Sequence, residues 1–342
     1  SDGRLYARGV IDNKGQFLIH LYTIMELIKN NDVRYNFKLL LEGNEETGSS
    51  ELRGILKDNL NLLKNDLILI SDGTISSDHP VIEISLRGNM SGTLTFRTAN
   101  NNVHSGIYGN TIPNALHEMN KFISKIFGNN DKINIPGFKP DLSLKAEADR
   151  NSKLEIMRKL NVNKVFFSSS RNFHTRNGLE PAVIVTGIKG GYIDEGHSHI
   201  VPANAEAKIN FRFPPEKDPK EYLMHFKRFM KMNIPSYVRY NWEIANIVKG
   251  VDISLKDELK NGLEEVLMDV YHRKVLYKHV GGSLPIITDF KELLNTPILS
   301  LPLANEDSNM HGVGENFDIL YINKGLEITY RLLGTDLLEK GL

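Results

Sequence analysis

The segment Leu41-Glu42-Gly43-Asn44-Glu45-Glu46-Thr47-Gly48 sets two adjacent acids where the apolar run 37–41 gives way to a helical stretch at 49–60. Neighbouring carboxylates repel, and both ionise comfortably only where cations compensate them. Acids also suit the positive first turn of a helix, so the pair alone fits a helix start as well as a ligand pair. Two further acids hold the same kind of position. Asp12 follows the apolar run 5–10 and precedes a helix, and Asp72 ends Leu67-Ile68-Leu69-Ile70-Ser71-Asp72. Singly, each reads as a turn former or cap; three strand-to-loop transitions that each present a carboxylate suggest a shared cation. His311, in Asn309-Met310-His311-Gly312 after the apolar run 298–301, offers an imidazole to complete such a site. Other histidines have plainer readings. His20, His225 and His272 fall in helical patterns, His79 precedes Pro80 in a turn, and His104, His197 and His199 sit in loops with their roles open.

Composition narrows the chemistry. With 342 residues, 40% apolar and 25% charged, the chain is of ordinary globular make-up and long enough for two domains. The absence of Cys excludes disulfides, thiolate catalysis and sulfur-ligated metals, so any metal is held by His and carboxylates. Lys+Arg and Asp+Glu balance at 42 each, and no basic patch is interleaved with aromatics, which leaves nucleic acid without support as a partner. A membrane is excluded by the lack of any apolar run near the ~20 residues that span a bilayer. The start, Ser1-Asp2-Gly3-Arg4, has neither the charged nor the apolar region of a signal peptide. Together with the lack of Cys, this gives the cytoplasm as the expected compartment.

The elements that must carry these residues follow from periodicity. Residues 1–87 alternate short apolar runs (5–10, 37–41, 66–70, 81–86) with helical spacing, as in a mostly parallel α/β sheet. In such sheets the chemistry lies beyond the carboxyl ends of the strands. Period-two alternation at 91–98, an amphipathic helix at 113–127, strand-like runs at 182–187, 205–213 and 237–244, and a helix at 219–232 predict a separate α+β unit. Periodicity resolves 128–178 poorly. The first pattern resumes from about 252, with helices at 254–271, 285–294 and 316–333 and strands at 275–277 and 298–301. The economical organisation is one α/β domain, residues 1–87 and 248–342, interrupted by an inserted α+β domain, residues 88–247.

Asp2-Gly3-Arg4-Leu5-Tyr6-Ala7-Arg8-Gly9-Val10-Ile11-Asp12-Asn13-Lys14-Gly15 resembles a signature of the co-catalytic dizinc peptidases. That family comprises carnosine-type dipeptidases, glutamate carboxypeptidases, aminoacylases and succinyl-diaminopimelate desuccinylase. The similarity continues, in family order, through Glu45-Glu46-Thr47-Gly48, Ser71-Asp72-Gly73, Val103-His104-Ser105-Gly106, Phe211-Arg212-Phe213-Pro214, Gly281-Gly282-Ser283-Leu284-Pro285 and Met310-His311-Gly312. The resemblance implies a phosphorylase/hydrolase-like catalytic domain and a ferredoxin-like lid that also makes a homodimer. It implies two divalent ions, Zn first, with Co or Mn as alternatives. Asp12 would bridge them, Glu46 and His311 would complete one ligand set, and Asp72 would bind the other ion. Glu45 would be the general base that deprotonates the bridging water and later protonates the leaving amine. His104 would stabilise the tetrahedral oxyanion in the partner subunit's site. Arg212 would bind a substrate carboxylate, with backbone groups of Gly281, Gly282 and Ser283 lining the same pocket.

The departures bear on specificity. His199 stands before Ile200-Val201-Pro202, where the family often carries Thr or Asn, and so puts an imidazole at a substrate-facing position. Asp72 in place of Glu tilts the substrate towards short peptides with a free amine. The family's first ligand, a His in an HxD motif, has no counterpart before Asp12, so the natural protein is expected to be longer, with this chain a C-terminal piece of it. The expected function is a metal-dependent hydrolase of dipeptides or short peptides. An N-acyl amino-acid deacylase of the same mechanism is the first alternative, and a non-catalytic metal-binding dimerisation protein is an alternative of another class.

Overall fold

A computed structural model describes residues 2–128, 132–141, 143, 146, 153–167, 172–215 and 217–341. The N- and C-terminal segments build one five-stranded sheet. Strand Val81–Leu86 runs parallel to Leu276–Val280, and Ile68–Ile70 parallel to Ile298–Ser300. Among the described residues, antiparallel pairing in this sheet is confined to the two-residue strand Val251–Asp252 and a bridge between Ser300 and Glu83. Helices Lys14–Lys29, Asp257–Tyr271 and Ile319–Leu333 pack together through Ile19, Leu27, Leu263, Leu267, Ile328 and Leu332, all buried in one core with Leu299 and Leu303. Gln16 crosses this core with its amide satisfied: its Nε2 donates to Ile11 O (3.0 Å), and its Oε1 accepts from Leu303 N (2.9 Å).

The inserted region is a four-stranded antiparallel sheet in the spatial order Ala182–Gly190, Asn204–Phe213, Gly88–Arg97, Arg239–Val248. Helix Ala115–Ile126 follows its first strand and helix Pro219–Asn233 its third. The chain order βαββαβ, with the fourth strand beside the first, is the ferredoxin-like arrangement. Both helices start on a side-chain cap: Asn114 accepts from Leu116 N and His117 N, and Asp218 from Lys220 N ahead of a first-turn Pro219. They cover a face of alternating residues (Met90, Leu94, Phe96, Ala205, Ala207, Ile209, Phe211), where Phe211, Phe226 and Trp242 meet at ring distances of 4.7–6.0 Å.

Several elements differ from the sequence expectation. The first strand is only Arg4–Tyr6, and it pairs antiparallel with Asn316–Asp318, not with the main sheet. Residues 37–41 form no ladder among the described residues. An apolar run becomes a strand only beside a partner, and Leu39, Leu40 and Leu41 are exposed. The helix expected from 316 begins at Ile319, because Asp318 caps it by accepting from Leu320 N. Helix Lys14–Lys29 buries Ile19, Thr23, Ile24 and Leu27 and leaves Leu18, Tyr22, Met25 and Ile28 exposed. Apolar on nearly all sides, it has its buried face chosen by neighbours and not by its own periodicity.

Candidate metal centre

Four chain segments deliver the carboxylates and the imidazole. Pairing of Arg4–Tyr6 with Asn316–Asp318 lays the turn 7–13 against the loop 306–315. The turn closes by Lys14 N donating to Gly9 O (2.9 Å) and Gly15 N to Val10 O (3.0 Å), and the Asp12–Asn13 peptide is cis. A Cβ at Gly15 would lie 2.1 Å from Val10 O and 2.7 Å from the Phe317 ring, so the motif's Gly is required for the helix to start this close to the turn. Glu45 and Glu46 sit on the 3-10 turn Glu45–Thr47, ended by Gly48 in a left-handed conformation. Glu42 ties this turn down, its Oε1 accepting from Asn44 N (2.7 Å) and Ser49 Oγ (2.9 Å). Asp72 follows Ile68–Ile70 at the end where Ser71 Oγ donates to Leu301 O (2.6 Å). His311 comes from the loop after Ile298–Ser300, with φ of +61° at His311 and +55° at Asn309. Non-glycine residues hold this region only when their surroundings impose it, and such positions cluster at functional sites.

These segments bring Asp12, Glu46 and His311 together, with one ligand-type atom from each lying within 4.8 Å of the others. His311 Nε2 is 2.6 Å from Asp12 Oδ2 and 2.9 Å from Glu46 Oε1. A single Nε2–H cannot serve two carboxylates fully, whereas a divalent cation among the three atoms satisfies all of them. The donor set, two carboxylate oxygens and an imidazole nitrogen with no sulfur, is one that Zn, Co or Mn accepts, so the residues fit a metal. The bond to Asp12 raises the His311 pKa, aided by Glu46. Asp72 lies outside the three-atom cluster, yet burial first and the Asp12 charge second raise its carboxyl above the usual range. Glu45 is likewise raised, by partial desolvation and then by Asp72, Glu46, Asp12 and Glu42. Acids crowded until they resist ionising are what a bound cation relieves.

The remaining expected residues form two separate groups. Arg212 Nη1 donates to Ser283 Oγ (3.1 Å), which joins the inserted sheet to the Gly281-Gly282-Ser283 loop. Gly281 O accepts from Arg87 Nε (3.1 Å), while nothing in the described contacts engages Gly282 beyond Val280. His104 and His199 stack at 6.3 Å between ring centroids, on the short ladder Val103–His104 with Ile200–Val201. His104 Nδ1 accepts from Gly106 N (3.1 Å). Among the described residues, no hydrogen bond or ion pair links His104 or His199 to the carboxylate cluster.

Three residues escaped the sequence reading. Arg87 is buried; it donates to Glu180 O (3.0 Å) as well as Gly281 O, and burial with the nearby Arg212 charge lowers its pKa to about 10. Its signal was a charged residue inside an apolar strand end, Ser85-Leu86-Arg87-Gly88. His20, read only as part of a helical pattern, is held between Ser71 Oγ (2.7 Å from Nε2) and Thr329 Oγ1 (3.1 Å from Nδ1), Ser71 being the residue before Asp72. Glu315 is buried behind Asp12, and only its short spacing from His311 hinted at a role.

Residues 84–238 match a family model described as the M20 peptidase dimerisation domain. The chain is 26% identical over 324 residues to a cysteinylglycine-S-conjugate dipeptidase of Corynebacterium striatum, covering 93% of this chain and 70% of that protein. It is 23% identical to the beta-Ala-His dipeptidase of Mus musculus, covering 93% and 67%, and 21% identical to a probable di- and tripeptidase of Saccharomyces cerevisiae, of whose length it spans only 36%. Among solved structures, an M20 family metallo-carboxypeptidase from Sulfolobus solfataricus superposes with a TM-score of 0.82 at 23% identity, over 99% of this chain and 79% of that one. Human carnosine dipeptidase 1 does so at 0.78 and 21%, over 98% and 74%. Both show the fold: an α/β catalytic domain with an inserted lid.

Proposed function

We propose that the chain, whose residues 84–238 match the M20 peptidase dimerisation domain, is a metallopeptidase of that type and hydrolyses the amide bond of dipeptides or other short peptides at a centre of two divalent ions, Zn first among them. The observation that carries the reading is the meeting of Asp12, Glu46 and His311 from three distant stretches of chain at one imidazole nitrogen. In it, Asp12, Glu46 and His311 would hold one ion, and Asp12 and Asp72 would contribute to a second. When bound, such ions supply Lewis-acid polarisation of the scissile carbonyl and a water acidified towards neutrality.

The rest falls to the chain's own side chains. Glu45 adjoins a ligand but is outside the three-atom cluster, and its raised carboxyl is suited to take a proton from the attacking water and return it to the leaving amine. Arg212, already oriented by Ser283, offers the rest of its guanidinium fork to the substrate carboxylate, with Gly281 and Gly282 beside it. His104 and His199 are carried on the lid, apart from the cluster; they reach a reacting substrate through lid closure or from the partner subunit of a homodimer. An N-acyl amino acid also presents an amide beside a carboxylate that Arg212 can hold, so deacylation is the second reading.

The test is turnover by metal-reconstituted protein of a free-amine dipeptide against an N-acetyl amino acid, with Glu45→Gln alongside. The dipeptide should be the better substrate, and Glu45→Gln should lower kcat about 10²- to 10⁴-fold with metal content unchanged. A reconstituted wild type that cleaves neither substrate leaves only a non-catalytic metal-binding scaffold.

A further inference from the structure

Glu315 is an acid that no part of the proposed chemistry uses, and it is buried, with 2% of its side chain exposed. A carboxylate in such a place survives only where donors replace the lost water. Here they are backbone amides of the turn that carries Asp12. Glu315 Oε2 accepts from Gly9 N (2.9 Å), and Oε1 accepts from Ile11 N (3.0 Å) and Asp12 N (3.3 Å). Arg8 Nη1 adds a fourth donor to Oε2 at 3.3 Å. In return Ala7 N donates to the main-chain Glu315 O (3.3 Å), so side chain and backbone grip the turn from both ends.

The other side of Glu315 is the His311 loop. The next residue, Asn316, closes that loop: its N donates to Ser308 O (2.9 Å), and its Nδ2 donates to Ser308 O (3.2 Å) and Gly314 O (3.1 Å). One short segment therefore supplies His311 and fixes the backbone of Asp12. We infer that Glu315 is a positioning residue that sets the spacing of Asp12 and His311, and with it the affinity and geometry of the ion they hold; this rests on the metal reading of the site. The direct evidence is the concentration of three N–H donors from four consecutive residues on one buried carboxylate, ending at Asp12 itself. A residue needed only to fill space would not demand two acceptor oxygens.

Glu315→Gln tests this, because it keeps the shape but turns one acceptor into an NH2 that faces N–H donors. Metal-free wild type, Glu315→Gln and Phe226→Leu, a variant perturbed only in the distant lid core, are titrated with cobalt(II) against a chromophoric chelator, and the visible spectrum of each bound form is recorded. The expected result is a dissociation constant raised about 10- to 100-fold in Glu315→Gln, with an altered cobalt spectrum, and neither change in Phe226→Leu. A folded Glu315→Gln with wild-type affinity and spectrum overturns the inference and leaves the metal reading standing. A wild type that binds no cobalt overturns both. Should Glu315→Gln not fold, Glu315→Asp, which keeps the charge but withdraws it by a methylene, carries the same expectation, and undiminished cobalt binding there overturns it.

Discussion

The lid and the catalytic half of this chain reach order by opposite means. In the lid, ten-residue strands Gly88–Arg97, Asn204–Phe213 and Arg239–Val248 pair along their full lengths, and period-two alternation buries one face under two capped helices. The catalytic half has strands of only two to six residues, and its site lies on the loops between them. Those loops are held by buried polar anchors: Glu315 behind Asp12, Gln16 across the core, and Ser71 with His20 behind Asp72. Apolar packing makes the scaffold tolerant and strong, whereas hydrogen-bonded anchors give a few side chains their places at the cost of sensitivity to protonation and to single substitutions. Stability and metal binding should therefore separate by region.

The largest expected effect comes from breaking the apolar side of this contrast. Phe226→Ala removes a fully buried ring that meets Phe122, Phe211 and Trp242, and should cost about 3–5 kcal/mol in denaturant unfolding while leaving metal affinity intact. If metal binding falls in parallel, the two halves are one cooperative device and the contrast fails.

An acid titration probes the polar side. Burial between Ser71 and Thr329 lowers the His20 pKa to about 4, below the usual 6.5. The unfolded chain therefore takes up this proton first. Stability from His20 is whole above pH 6.5 and is lost as pH falls from 6.5 towards 4, by about 3 kcal/mol in full. Urea unfolding of wild type and His20→Gln across that range should show a stability loss on acidification that is larger in the wild type by about that amount, and equal slopes would contradict the assignment.

A smaller effect on stability, though not on function, is expected from His311→Ala. The side chain is half exposed, and Asp12 and Glu46 are its ion-pair partners among the described residues, so the unfolding free energy of the metal-free protein should change by less than about 1 kcal/mol. Its metal affinity should fall about 100-fold or more, beyond the effect of an outer partner. A large loss of stability without metal would make His311 a structural residue.

The same contrast explains what was legible in the sequence. Strands 88–97 and 204–213 and both lid helices could be read within three residues, because alternation and caps are local signals that the buried face then obeys. Residues 37–41 looked equally strand-like, but a ladder needs a neighbour, which a run of apolar residues does not announce. The meeting of Asp12, Glu46 and His311 was anticipated from acids at strand ends and from family motifs. The same reading held Glu45 and Asp72 nearby, and their raised carboxyls agree with that crowding. Glu315, Arg87 and His20 were missed for one reason: each acts on backbone or on a neutral hydroxyl far along the chain, and such contacts leave no pattern in residue type or spacing.

Three acids, Asp12, Glu46 and Asp72, and one histidine, His311, are proposed to hold bound metal. Crystals of the protein grown with zinc and measured on both sides of the zinc absorption edge test it most directly. The account predicts an anomalous peak among Asp12 Oδ2, Glu46 Oε1 and His311 Nε2 and a second density towards Asp72. Ordered crystals at saturating zinc that show no peak at those atoms, or peaks only elsewhere on the surface, would contradict it.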